Sequence, residues 1–237
     1  MSLQNGSCVG VDGAKSGWVA VWRGGNGLDF DVYLSARRVI QAHSDAAVIA
    51  VDIPIGLSDR DGRAADVQAR RFVGGKRASS IFSAPVRGIL DAQTQVEASR
   101  RHREIDQRGF GAQAFAILPK IREWDDLLRS DPHACEQVRE IHPEVSFAAL
   151  AGGKGLLEGK RTREGEARRR TLLGTVFGDE AVESLLARVP RQWAATDDVL
   201  DALVALWSAQ RIARGEARTL PESAVIDSCG MITAIHY

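Results

Sequence analysis

Much that would place this chain quickly is scarce or missing. Its 237 residues hold only three cysteines, Cys8, Cys135 and Cys229, which are far apart and lack C-x-x-C spacing. That excludes a disulfide framework and a cysteine-based zinc site, and fits reduced thiols in a cytoplasmic protein. The five histidines are scattered, with no H-x-x-x-H-type pair. No apolar run approaches the ~20 residues of a membrane span, and charge and glycine break up the N-terminal stretch. Neither a membrane partner nor a leader peptide is therefore expected. The formal net charge is 0, so no global acidic or basic bias names a partner, and any electrostatic footprint must be local. Aromatics make up only 6%, and repeats and low-complexity linkers are absent. What remains, 44% hydrophobic and 26% charged residues, is enough for one α/β domain over 1–237 with a substantial insertion.

The organising stretch is Cys8-Val9-Gly10-Val11-Asp12-Gly13-Ala14-Lys15-Ser16-Gly17-Trp18-Val19-Ala20-Val21. Two β-branched runs around a Gly, Lys and Ser centre read as an antiparallel hairpin. A third strand is expected at 28–34, where Leu28, Phe30, Val32 and Leu34 alternate with polar residues. Ser35 then opens a short helix to about Ser44. The near-continuous apolar run at 47–53 reads as an inner strand of a mixed sheet. From 55 to about 135 the pattern is mostly helical, with helices near 62–72, 92–107 and 111–130, the last bent or interrupted at Pro119. A fifth strand is expected at 136–142, helices at 163–176, 179–188 and 197–214, and a β-like run at 231–235.

Two strands end in a carboxylate, Asp12 and Asp52. Aspartate is depleted in strands and costly to bury unpaired, so each needs backbone donors, a basic partner or a cation. Taken alone, Asp12 is equally explained as an Asx turn. Neighbouring parallel strands, however, present their carboxyl ends on one sheet edge, where α/β proteins build sites. The last long helix adds Asp197, Asp198 and Asp201. Capping accounts for the first two, with Thr196 or Asp197 as cap, but Asp201 lies past the first turn among Leu, Val and Ala. The i,i+3 spacing puts Asp198 and Asp201 on one face. Should that face meet the sheet edge, up to four carboxylates converge, a cluster that calls for hard cations such as Mg²⁺ or Mn²⁺.

Three antiparallel strands, a crossover helix, two parallel strands and a terminal D-x-x-D helix together resemble the ribonuclease-H-like fold, and most nearly the bacterial Holliday-junction resolvases. Asp12 matches their first-strand aspartate and Asp198 with Asp201 their final-helix pair, while Asp52 stands where they carry glutamate. More closely, the chain resembles the uncharacterised domain-of-unknown-function family 429, predicted ribonuclease-H-like nucleases. The resemblance rests on Gly10–Trp18, Val51-Asp-Ile-Pro-Ile-Gly-Leu57, Ser79–Arg87, Ile141-His-Pro-Glu-Val-Ser-Phe147 and Asp197-Asp-Val-Leu-Asp-Ala-Leu203. It implies a metal-dependent hydrolase acting on phosphodiesters by a two-metal displacement. Asp12 would bridge both ions, Asp52 would ligate one, and Asp201 with Asp198 would hold the other. The implied partner is nucleic acid, DNA or RNA, and a homodimer stays open.

Other residues invite a role in substrate binding. Lys15 sits in the first hairpin turn, where a solvent-exposed lysine is the simpler reading. Ser80 and Arg87 lie in the insertion within reach of phosphates. Glu140, His142 and Glu144 flank the end of the fifth strand, as proton shuttle, outer ligand or simply a strand terminus and helix start. Segment 60–108 holds eleven Lys or Arg against six acids, and 154–170 seven against three. Such runs serve either as solvated helix faces or as a track for a phosphate backbone. Two further functions remain open. One is a phosphotransferase of the sugar- or acetate-kinase type, whose phosphate hairpin Asp12–Gly17 also resembles. The other is a non-catalytic nucleic-acid-binding protein.

Overall fold

The computed structural model describes residues 7–237; the start of the N-terminal stretch expected to lack a leader lies outside them. β1 (Cys8–Ala14), β2 (Gly17–Gly24) and β3 (Gly27–Tyr33) form an antiparallel meander. α1 (Ala36–Ala42) follows, capped as its sequence requires by Ser35, whose hydroxyl accepts the Arg38 N–H. β4 (Val48–Val51) lies parallel to β1, pairing Val9 with Ile49 and Val11 with Val51. β5 (Val138–Glu140) adds in parallel to β4. The sheet order is β3-β2-β1-β4-β5, the mixed five-stranded sheet expected, consistent with a ribonuclease-H-like fold.

Between β4 and β5 run α2 (Ala64–Val73), two 3₁₀ turns, α3 (Gln95–Asp106), α4 (Ala112–Ser130) and α5 (Pro132–Gln137). α4 runs unbroken through Pro119. The fifth strand is shorter than expected at its start. Asp131 caps α5 by accepting the Ala134 N–H, and Pro132 takes the first helical position, so 136–137 remain helical. After β5 come α6 (Pro143–Leu150), α7 (Arg163–Phe177), α8 (Asp179–Arg188) and α9 (Thr196–Ala213). The chain closes with the hairpin β6 (Thr219–Ile226) and β7 (Ile232–His236), which touches the sheet at a parallel bridge between Ile141 and His236. No helix among the described residues is long and apolar enough to cross a membrane.

Strand alternation splits the core. Val9, Val11, Trp18, Ala20, Ile49 and Val51 pack under α1 and α4, with Ile121, Trp124 and Leu128. Val19, Val21 and Leu28 point the other way, onto α7, α8 and α9. Gly10 decides how closely α9 can approach. A Cβ there would stand 2.1 Å from Ala202 O and from Leu206 N, so only glycine lets the α9 backbone rest on β1. Two residues along the strand on the same face comes Asp12, and one turn back along the helix comes Asp201.

Candidate active site

Three adjacent parallel strands end together. Asp52 continues the ladder by donating its N–H to Val11 O at 3.0 Å, and Ile141 does the same to Val51 O at 3.0 Å. Asp12, Asp52 and the Glu140–Glu144 segment therefore share one edge, and α9 brings Asp201 to it. These groups line a cleft of about 330 Å³ with Trp18, Ser80, Phe82 and Lys120. Asp12 is 7% exposed and Asp201 1%, whereas Asp52 keeps partial contact with solvent.

Burial, reinforced by repulsion from Asp52 and Asp201, holds the Asp12 carboxyl well above the usual carboxylate range. Burial and the Asp201 charge push Asp52 up to about 8. Burial also raises Asp201, but only to about 6, because Lys160 opposes it. Lys160 Nζ lies 2.9 Å from Asp201 Oδ2 and 3.8 Å from the Asp197 carboxylate. Burial alone would lower the lysine; Asp201, Asp12 and Asp52 outweigh it and keep the ammonium charged. Lys120 comes from α4 on the opposite wall. It donates to Ala14 O at 3.2 Å and also to Gly17 O, with its ammonium 4.3 Å above the Trp18 ring. It thereby ties the first hairpin turn to the insertion.

Behind the edge, Glu140 serves a different purpose. Its carboxylate takes both guanidinium nitrogens of Arg63 at 2.7 Å and accepts the Ile55 N–H at 2.7 Å. Arg63 also holds Asp66 at 2.6 Å and donates to Ile55 O and Gly56 O. This buried salt bridge fixes the loop that follows Asp52. His142 accepts the Glu144 N–H at Nδ1, 3.2 Å away, so the neutral ring carries its proton on Nε2. Burial and the Lys160 charge lower His142 to about 4. Glu144 pairs with buried Arg169 at 2.7 Å through one oxygen, leaving Oε2 buried without a partner.

The remaining sequence candidates are placed as follows. Ser80 reaches the rim of the cleft. Asp198 does not line it; its carboxylate accepts the Ala195 N–H at 2.9 Å, so Ala195, and not Thr196 or Asp197, is the helix cap. Lys15 is exposed in its turn. Arg87 lies elsewhere, bound to Asp227 at 2.5 Å and Asp125 at 3.1 Å, as a strut between the insertion and the final hairpin. Lys160, Lys120 and Arg63 carried no signal that marked them out. Each lies in a segment where a basic residue is ordinary, and only the fold shows what it faces.

A family model described as "Protein of unknown function (DUF429)" matches residues 10–225. The chain belongs to the DUF429 family. No curated protein and no solved structure matches the DUF429 chain. The match begins at Gly10 and takes in every residue that lines the carboxylate edge except Ile235 of β7.

Whether the DUF429 site suits a divalent cation turns on its donors. Among the described residues, no three His, Cys, Asp or Glu form a ready protein-only cage. Mg²⁺ seldom uses one, binding instead through one or two carboxylates with water and substrate phosphate. Asp12 and Asp52 supply that pair of hard oxygen donors, and their proton affinity is raised by burial and by the neighbouring carboxylates even with Lys160 opposing it. The donor chemistry fits, with Asp201 engaged by Lys160.

Proposed function

We propose that the protein is a metal-dependent hydrolase cleaving phosphodiester bonds in nucleic acid at the Asp12–Asp52–Asp201 edge. The observation that carries this reading is the convergence of three carboxylates in a cleft walled by Lys160 and Lys120. A carboxylate cluster alone repels a phosphate, and a lysine pair alone binds one without activating water. Asp12 and Asp52 would hold Mg²⁺ or Mn²⁺, which supplies an activated water and polarises the phosphoryl oxygen when bound. Asp201 orients the Lys160 ammonium toward the cleft, where it neutralises phosphate charge. The Nε2–H of His142 is a fixed neutral donor for a non-bridging oxygen. Arg63 positions the Asp52 loop through Glu140.

The test combines activity with a readout that needs no substrate. Single-stranded, duplex and branched DNA and RNA are incubated with the protein in Mg²⁺ or Mn²⁺, beside Asp12→Asn. Cleavage of at least one substrate by the wild type and none by the variant is expected. Mn²⁺ should also stabilise the wild type, by about 2.7 kcal/mol at a hundredfold excess over Kd. At roughly 2–4 °C per kcal/mol for this size, that raises Tm by about 5–11 °C. Asp12→Asn should lose the gain. An undiminished metal-induced shift in the variant, or no cleavage with any substrate and metal, refutes the proposal.

A further inference from the structure

Many of the basic residues already have a partner. Arg63, Arg87, Arg101, Arg169 and Arg170 each pair with a carboxylate, and Arg70 is spent on Ile81 O and Ser83. Among the described residues, Lys76, Arg77, Lys154 and Arg168 make no ion pair, and the Arg77 Nε is buried without any hydrogen-bond partner. These four line one groove of about 880 Å³ beside the active-site cleft, with Glu158 the sole acid on its walls. Lys76, Lys154 and Arg168 are exposed and Arg77 is half-buried, so the concavity presents a local positive field that attracts an anionic ligand.

The groove and the cleft are one path. Arg77 lines both. The glycine-rich loop between α6 and α7 borders both, carrying Lys154 at the groove and Lys160 at Asp201. It lies directly on the end of α2, since a Cβ on Gly155 would meet Val73 O at 2.3 Å. Gly152 and Gly153, with φ of 90° and 92°, let the loop turn along the groove floor.

We infer that this groove is the track for a single-stranded nucleic acid, with Lys76, Arg77, Lys154 and Arg168 binding successive phosphates that lead into the carboxylate cleft. This rests on the phosphodiester reading of the site and adds its substrate class. Depth selects the single strand. Asp12 and Asp201 are nearly sealed, and the cleft, about 330 Å³, is at the lower end for one small ligand. One flexible nucleotide can enter, whereas a stacked duplex must first give up its base pairing. The lining offers cations, backbone and the apolar Phe72, Leu156 and Leu157, with little polar side-chain machinery to read base edges, so recognition is of the phosphate backbone.

The test is fluorescence anisotropy in chelator with the full chain, using labelled single strands of about 12 nucleotides and a duplex of the same sequence. Single-stranded binding should be at least tenfold tighter than duplex binding. Its log–log salt slope should be about −2 to −3, at about −0.7 per phosphate on a single strand. Lys154→Glu with Arg168→Glu should weaken it more than tenfold and flatten the slope by about 1.4. Arg100→Glu, a reversal of a paired surface arginine on α3, should change binding less than twofold. Melting curves check that each variant is folded. Equal loss from Arg100→Glu, equal affinity for duplex, or no binding at about 50 mM salt overturns the inference. Mn²⁺-dependent hydrolysis of bis(p-nitrophenyl) phosphate separates the two readings. Hydrolysis without groove-dependent binding overturns the groove alone, and groove-dependent binding without hydrolysis of any diester overturns the hydrolase reading alone.

Discussion

Asp52→Asn gives the most direct measure of what the carboxylate edge costs the fold. Asp52 is pushed up to about 8 by burial and the neighbouring Asp201 charge. An unfolded chain returns it to its ordinary value near 3.8. Between those values the folded protein binds more protons than the unfolded one, so stability falls as pH rises from about 4 to about 8. The contribution is fully present below pH 4 and gone above pH 8. At about 1.4 kcal/mol per tenfold in proton affinity, the ceiling is about 6 kcal/mol. Asp52 retains some solvent and shares its charge penalty with Asp12, so an effect on the order of 2–3 kcal/mol is expected. Asparagine keeps the shape without the charge. In chelator, thermal melts of wild type and variant should coincide near pH 4, and the variant should melt roughly 5–10 °C higher at pH 8. A variant that melts lower by the same margin at both pH values would show that Asp52 is a structural acceptor, and the reasoning fails.

Two further outcomes test the scaffold. Arg63→Ala leaves the Glu140 and Asp66 carboxylates buried without their partner, so urea denaturation should show a loss of about 3–5 kcal/mol, while Arg63→Lys recovers part of it. Gly10→Ala drives a methyl group into the α9 backbone, which cannot rotate away as a side chain would; a loss of about 1–3 kcal/mol is expected, together with a weaker Mn²⁺-induced shift as Asp201 moves from Asp12. Unchanged stability in either variant would refute the packing described for it.

The carboxylate edge was legible because its residues break rules. Asp12 and Asp52 end apolar strands and Asp201 interrupts an apolar helix face, and each violation survives only where something outside the chain or across the fold compensates. The meander, β4 and the long helices follow from alternation and helical periodicity. Other parts had no such mark. β6 contains Pro221 and an outer run of exposed residues, a pattern that argues against a strand until β7 is seen beside it. Asp131-Pro132 did carry a mark, a cap-and-proline pattern that starts α5 and keeps 136–137 helical, which the expectation of one strand over 136–142 passes over. Glu140 and Arg87 look like free site residues in sequence because their partners, Arg63 and Asp227, lie 77 and 140 positions away. Pairing of that range decides whether a charge is available, and a linear reading cannot see it.

The insertion between β4 and β5 also governs when the site can come into being during folding. Ile49 meets Val138 across roughly ninety positions, and closing so long a loop is entropically slow even though each doubling adds only about 0.6 kcal/mol. β5 has three residues, too few to hold that closure by itself. Contact order favours a sequence of events in which the helices of the insertion form first and shorten the effective span, delivering β5 tethered by Asp131 and α5. Until then the meander, β4 and α9 can assemble with Asp12 opposite Asp201, while Arg63 and Glu140 stay apart and the loop after Asp52 stays slack. By this reasoning the carboxylate edge closes late, on a schedule set by a segment that contributes only Asp52 of its three central carboxylates.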